Sequence, residues 1–249
     1  MRMVVASYNV HAFVGTDRRF DPKRVGAVLA EIDADVVGLQ EVQDRGAAPH
    51  ALDDVAESLG AHVMRGPTFD RTHGAYGNAI LSRLPFGAVE RIDLSLPGRE
   101  PRGAIDAAIE TGAEPLRVLA THLGVGSRER RRQVRLLLQH LRLGPPGVRV
   151  LLGDMNEWVR GAGALRALHR ALGRAPGPRT FPSPLPIFSL DRIWVHPTVR
   201  VCRLWVHRSP LAACASDHLP VAAELRLQPV AASDLTPADP ARNLLYQEA

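Results

Sequence analysis

Asp154 and Asn156 stand two residues apart behind a short apolar run, Val148 to Leu152, and a glycine, Gly153. Side chains two apart on a strand end point to the same side, so this stretch offers a carboxylate and an amide to one place. The pair suits phosphate chemistry: the carboxylate orients or deprotonates water, and the amide donates to a phosphoryl oxygen. Gly, Asp and Asn are also ordinary turn residues after a strand. The stretch therefore takes its chemical meaning from the other strand ends, and these repeat the pattern. Asn9 and His11 follow the run Met3 to Tyr8, Glu41 follows Val36 to Leu39, and His122 follows Leu116 to Ala120. Asp191 lies near the start of the run Ser189 to Val195, and Asp217-His218 lead into Val221 to Leu227. Carboxylate and amide oxygens are hard ligands that suit Mg²⁺ or Mn²⁺. With only Cys202 and Cys214, and no close His pair, zinc is the weaker expectation.

The elements that must carry these residues can be read in order. Asp21-Pro22 supplies a cap and a first-turn proline for a helix whose apolar stripe is Val25, Val28, Leu29 and Ile32. Val36 to Leu39 is apolar, β-branched and too short for a helix, so it is a buried strand, completing a β-α-β unit. A second helix fits His50 to Leu59, closed by Gly60. His62 to Arg65 is followed by a polar loop through Asp70, His73 and Tyr76. Strands are expected at Gly77 to Ser82, Val89 to Leu94, Gly103 to Glu110 and Leu116 to Ala120. Ser127 is expected to cap a long helix buried through Val134, Leu137, Leu138 and Leu141, with Arg128, Arg130, Arg131 and Arg135 on its solvated face. The Asp154 strand, a helix over 162–172, a Pro-rich loop over 173–188 and three more strands complete the set. Helix-linked and directly linked strands in one chain favour two mixed sheets packed together with helices outside. With no linker dividing the core, one domain is expected over 1–227, with a tail at 228–249.

A hydrophobic share of 45% and a charged share of 23% are those of an ordinary globular protein. No stretch approaches the roughly 20 apolar residues of a membrane span. A strand begins at once after Met1, which leaves no room for a signal peptide; with two cysteines, a reduced cytoplasmic location is the expectation. The net charge is +5, and Lys23 is the single lysine, so the basic side is almost all arginine. Arginine suits bidentate phosphate recognition, although an arginine-preferring genome gives the same composition.

The stretches Ser7-Tyr8-Asn9-Val10, Leu39-Gln40-Glu41-Val42, Gly77-Asn78-Ala79-Ile80-Leu81-Ser82 and Thr121-His122-Leu123 resemble the endonuclease/exonuclease/phosphatase superfamily. Gly153-Asp154-Met155-Asn156, Leu190-Asp191-Arg192-Ile193 and Ser216-Asp217-His218-Leu219-Pro220 continue the resemblance in the family's order across residues 3–227. Each motif is weak alone, and the ordered set is specific. Tyr8 to His11, the Gly15 to Asp21 loop and Arg102-Gly103 look closest to small bacterial members resembling sphingomyelinase-like and glycolipid-anchor-remodelling hydrolase domains.

The resemblance implies a four-layer α/β/β/α sandwich, the DNase I-like fold, and metal-assisted hydrolysis of a phosphoester. It implies Glu41 as main metal ligand with Asn9 and Asp217, and Asp154 as the residue that activates water. Asn156 would hold a phosphoryl oxygen, and Asp191 would fix His218 beside the phosphate. His122 occupies a position where nuclease members often have tyrosine and lipid-phosphodiesterase members often have histidine. His11 replaces an aspartate of several nuclease members, which puts a metal contact there in doubt. Arg102, Asn78, His11 and Tyr76 are the substrate-contact candidates. The expected substrate is a phospholipid or glycolipid headgroup diester at a membrane surface, hydrolysed with Mg²⁺ or Mn²⁺ by a monomer. The alternatives are a nuclease on DNA or RNA, and a catalytically silent binding module.

Overall fold

The computed structural model describes residues 1–43, 50–71, 74–112, 114–144, 149–159, 161–195 and 199–227. Val148, His73 and the tail at 228–249 lie outside the described residues. The first sheet contains β1 (Arg2–Asn9), β2 (Val36–Gln43), β3 (His62–Arg71), β4 (Gly74–Ser82), β10 (Arg200–Val206) and β11 (Val221–Arg226). Their order is β10-β11-β1-β2-β4-β3. The second contains β5 (Phe86–Asp93), β6 (Gly103–Ile109), β7 (Leu116–His122), β8 (Arg149–Asp154) and β9 (Asp191–Val195), in sequence order. Each sheet has one parallel pair, β1 with β2 and β7 with β8, and antiparallel neighbours on both sides. A parallel pair needs a long crossover, and α1 (Pro22–Ile32) and α3 (Ser127–Leu143) supply the two. With α2 (Ala51–Ser58), α4 (Gly163–Leu172) and α5 (Pro210–Ala215), the helices cover the outer faces.

Three apolar clusters make the layers. Val25, Leu29, Leu52 and Val55 pack on Tyr8, Val37 and Leu39, so α1 and α2 cover the first sheet. Val134, Leu137, Leu165 and Leu168 pack on Leu119, Leu151 and Trp194, so α3 and α4 cover the second. Between the sheets lie Met3, Val5, Val36, Ile80, Val118, Ala120, Val150, Leu152 and Ile193. Strands buried on both faces read as continuous apolar runs, which is why β1, β2 and β8 show little alternation.

Several expectations are corrected. The stretch through Asp70 and Tyr76 is a hairpin of β3 and β4, with Asp70 opposite Ala75 and Phe69 opposite Tyr76. Tyr76 is buried against Phe69, so aromatic packing across the pair holds as strand what polarity suggested was loop. The cap of α3 is Gly126, whose N–H donates to Glu129 Oε2 at 3.2 Å, and Ser127 is the first helical residue. Arg130 leaves the solvated face and is buried. The short helix α5, capped by Ser209, was not foreseen, because its alanines carry no periodic signal.

Two glycines report different constraints. Gly60 closes α2 at φ +62° with nothing within 4 Å of where a Cβ would stand. Gly153 sits at φ +149°, and a Cβ there would run into the Thr121 carbonyl of β7. Gly60→Ala should therefore cost about 1–2 kcal/mol, the left-handed penalty alone. Gly153→Ala should cost about 4 kcal/mol or more, since strain is joined by forced parting of two paired strands. Denaturant unfolding of both variants measures the difference.

Candidate active site

A parity rule places the site. On each strand, the residues in step with the inter-sheet core continue past the end of that core as polar groups. Met3 and Val5 lead to Ser7 and Asn9, Val118 and Ala120 to His122, and Val150 and Leu152 to Asp154; reading backwards, Ile80 leads to Asn78 and Ile193 to Asp191. Side chains two apart share a face, so five strands deliver polar side chains to one end of the inter-sheet space. Glu41 breaks the parity, since Val36 and Gly38 are its even-numbered predecessors. The pairing of β2 with β4 slips between Leu39 and Val42, and Glu41 takes φ +57°. A bulge re-aims a side chain, and this one turns Glu41 onto Asn9, whose Nδ2 donates to Glu41 Oε1 at 2.9 Å and to Asp154 Oδ2 at 3.1 Å. Asn156 also has positive φ, +48°, with its N–H donating to Asp154 Oδ1 at 2.8 Å. Such backbone conformations are costly in non-glycine residues and cluster at functional sites.

His218 lies between two carboxylates: Nδ1 is 2.8 Å from Asp191 Oδ2, and Nε2 is 3.7 Å from Asp154 Oδ2. Thr180 Oγ1 donates to the same Asp191 oxygen at 2.5 Å. Burial opposes charge on the ring, but Asp191 and Asp154 together outweigh it and push the His218 pKa up to about 10. Burial raises Asp154 to about 6, held down from a larger rise by the charge of His218. Ser216 anchors the segment by donating to the Asn9 carbonyl at 2.7 Å. Asp217 comes to the same rim with Oδ1 3.7 Å from His11 Nδ1, and His11 N–H donates to Asn9 Oδ1 at 3.0 Å.

The adjoining strand end is rich in donors, with His122 paired to Asp154 across β7 and β8 and its Nε2 3.5 Å from Asp154 Oδ2. Arg102 Nη1 lies 3.2 Å from His122 Nδ1, while Asn156 Nδ2 lies 2.9 Å from His122 Nε2 and donates to the Leu123 carbonyl at 2.9 Å. A neutral imidazole accepts at one nitrogen only, so Arg102 and Asn156 compete for it and the site holds a surplus of N–H groups. That surplus suits an anion. Arg102 also pairs with Glu100 at 2.9 Å. Asn78, whose Nδ2 donates to the Gly103 carbonyl at 2.8 Å, and Tyr76 line a narrow cleft with Glu41, Thr68, Arg102 and His122.

All the residues singled out from the sequence thus fall at this end of the sandwich, with His11 and Asp217 at its outer rim. Sequence reasoning missed Thr180 and Trp158 and gave Ser216 no role of its own, whereas the sequence of the 173–188 loop already offers Phe181, Leu185, Ile187 and Phe188 as an apolar edge to the rim. Phe181 packs against the His218 ring at 4.8 Å between centroids. The contacts of Thr180 and Phe181 with Asp191, Trp158 and His218 were not legible, because those partners stand in other elements and leave no local pattern.

For a divalent cation, Glu41 and Asp217 carry carboxylate oxygens of the hard kind that Mg²⁺ and Mn²⁺ take, while Asn9 turns its amide N–H to Glu41 and its Oδ1 to the His11 N–H. Among the described residues, Asp154, Asp191 and His218 also lie close enough together to hold a metal. There, however, the imidazole already stands between the two acids, and its charge does the work a cation would do.

The chain belongs to the Endonuclease/Exonuclease/phosphatase family. The family's profile matches residues 6–218, spanning every motif above, and its members are hydrolases of phosphoesters. The chain is 31% identical over 253 residues to the uncharacterised protein YbhP of Escherichia coli, covering 90% of this chain and 96% of that one. Among solved structures it resembles an endonuclease/exonuclease/phosphatase from Beutenbergia cavernae, with TM-score 0.77, 25% identity, and coverage of 91% and 72% of the two chains. It also resembles the mannosyl-6-phosphatase Bt3783 of Bacteroides thetaiotaomicron, with TM-score 0.72, 22% identity, and coverage of 90% and 100%. The fold is the DNase I-like α/β sandwich of that family.

If Asp154 must be ionised to accept a proton, its raised pKa sets the acid limb of the rate. Turnover should fall as pH drops through about 6, where the carboxylate takes up a proton and loses its basicity. Asp191→Asn removes a charge that raises Asp154 but also one that holds His218 protonated, so the limb should move rather than vanish. A pH–rate profile of both proteins checks this.

Proposed function

We propose that this chain is a divalent-metal-dependent phosphodiesterase that hydrolyses a lipid headgroup diester by direct attack of water. The observation that carries the reading is the placement of His218 between two acids, hydrogen-bonded to Asp191 and at ion-pair distance from Asp154, beside Asn9 and Glu41. Asp154 has the position and raised pKa of a base that accepts a proton from water. Asp191 and Thr180 hold the His218 ring, which carries positive charge toward the phosphate. Asn156, His122 and Arg102 donate to non-bridging oxygens, where charge builds in the transition state. Asn9, Glu41 and Asp217 would hold Mg²⁺ or Mn²⁺, whose chemistry when bound is to neutralise phosphate charge. The histidine at position 122 and the apolar side chains next to His218 favour a lipid headgroup over a nucleic acid. The neighbour named as a mannosyl-6-phosphatase supports testing a phosphorylated sugar monoester beside the diesters.

The test is turnover of bis(p-nitrophenyl) phosphate with and without Mg²⁺ and Mn²⁺, followed by a panel of phospholipid, sugar phosphate, RNA and duplex DNA. Metal-dependent turnover of a headgroup diester is expected. DNA incision that is faster, and that falls steeply as salt rises, would replace the substrate assignment.

Two sets of variants check the roles. Glu41→Gln keeps size but removes a charge from a hard-ligand set, so Mg²⁺ affinity by calorimetry should drop along with activity at low metal; an unchanged affinity would refute the metal assignment. Asp154→Asn and His218→Ala should each lower turnover by on the order of a hundredfold or more, with thermal melting showing a retained fold. Near-parental turnover in either variant would make that residue structural.

A further inference from the structure

Among the described residues, seven large apolar side chains stand exposed, and five belong to one rim of the candidate site: Val125 at 66%, Trp158 at 43%, Val159 at 64%, Leu185 at 74% and Ile187 at 53%. Their continuity is built. Buried Arg130 donates to the Val125 carbonyl and forms a two-point ion pair with Glu157 at 2.9 and 3.1 Å, so one guanidinium ties the loop before α3 to the turn carrying Trp158 and Val159. Trp158 packs edge-on against Phe181 and Phe188, at 5.6 and 4.8 Å between centroids. Backbone bonds from Ile187 and Phe188 to Phe181, and from Leu185 to Pro182, close the loop that presents Leu185 and Ile187. Phe181 then abuts His218.

Within the chain segments that build this rim the exposed charges are arginines, while half-exposed Asp217 adjoins it, its carbonyl accepting from the Ser183 N–H at 2.7 Å. From residue 158 to residue 190 the chain has no Asp or Glu. Between residues 123 and 157 the acids are Glu129, Asp154 and Glu157, and all are buried. Arg128, Arg131 and Arg179, on the segments that carry the apolar group, are exposed.

We propose that this rim docks the protein on an anionic lipid bilayer, with the aliphatic tips and Trp158 entering the headgroup boundary and the arginines meeting acidic headgroups. An apolar cluster flanked by arginines fits such a surface: hydrocarbon burial and electrostatic attraction act together, and Trp suits the interface because one edge is apolar and its N–H is polar. A single-stranded nucleic acid would also meet the arginines and stack on Trp158. Leu185, Ile187, Val159 and Val125, however, offer bases nothing to stack on and gain only from a hydrocarbon phase. Docking here would set the candidate site, through Phe181 and His218, directly at headgroup level; in that respect the inference rests on the lipid reading of the substrate.

The experiment is flotation of the full chain with vesicles of phosphatidylcholine, with and without phosphatidylglycerol, at low and moderate salt. Binding is expected to the anionic vesicles. Leu185→Glu with Ile187→Glu should lower partitioning by about a hundredfold. Arg128→Glu with Arg131→Glu should lower it by about tenfold or more, a difference that narrows as salt rises. Both variants should keep parental melting temperatures and parental turnover of soluble bis(p-nitrophenyl) phosphate. Absence of flotation, or equal flotation of the parent and the Glu variants, overturns the proposal. So does retention on single-stranded oligonucleotide that is lost in the same variants while vesicles are ignored. Turnover of the soluble diester without vesicle binding removes the docking surface and leaves the hydrolase. Vesicle binding without any turnover removes the hydrolase reading and leaves the surface.

Discussion

Asp154 and Asp191 face each other across an antiparallel strand pair, β8 with β9, and both are buried. Like charges directly opposite on neighbouring strands repel, and burial strips them of the water that would screen them. The fold tolerates the pair because His218 stands between them with its ring charged. Removing either partner of such a buried arrangement costs about 3–5 kcal/mol, since the remaining charge is left uncompensated. The segment that brings His218 is correspondingly well tied: Ser216 bonds to Asn9 at the tip of β1, and Ser183 donates to the Ser216 carbonyl at 2.6 Å. One end of the chain is thus fastened to the other by the requirement to neutralise two acids.

The same end of the sandwich shows how an apolar core becomes a polar site without a change of topology. Strand parity carries Asn9, His122, Asp154 and Asp191 into the space between the sheets as the core runs out, and only Glu41 needs a backbone device to join them. That device is a bulge with a left-handed residue. Gly153 serves a related purpose: without a side chain it lets β8 approach the Thr121 backbone, and Asp154 follows at once. Glu41, Asn156 and Gly153 thus put special backbone at or next to the groups with chemistry to do, while Asp33 and Gly60 use positive φ only to end helices.

This explains which parts were legible in the sequence. Each polar strand end was visible because a β-branched or aliphatic run stopped at a carboxylate, amide or imidazole, and the two crossover helices declared themselves by spacing and by Asp21-Pro22. The β3–β4 hairpin was hidden because its polar residues have no alternation to read, and its stability comes from Phe69 packing on Tyr76 across the pair. The burial of Arg130 was hidden for a similar reason: on its own helix it looks like its neighbours, and only Glu157, 27 residues on, makes it internal. Thr180 and Ser216 act through hydroxyls that donate to Asp191 and to the Asn9 carbonyl, and no local pattern announces such contacts.

Acids and donors stand side by side in the cleft, and this has a consequence for any phosphoester that enters. Glu41, Asp154 and Asp191 carry the acids, and Arg102, His122 and Asn156 set N–H groups beside them, with His122 Nε2 3.5 Å from Asp154 Oδ2 and the Asn156 N–H donating to Asp154. On the proposed reading, non-bridging oxygens are drawn to these N–H groups and held off by the carboxylates. A water hydrogen-bonded to Asp154 then approaches beside the acids, where a protonated His218 or a bound cation relieves the repulsion between carboxylates and phosphate. On the proposed reading, the acids are thus tolerable to the substrate only while their countercharges are in place. Ionisation of His218 and metal occupancy would then act on the same electrostatic balance, and the loss of either would be felt first in binding of the phosphate and only then in transfer of the proton.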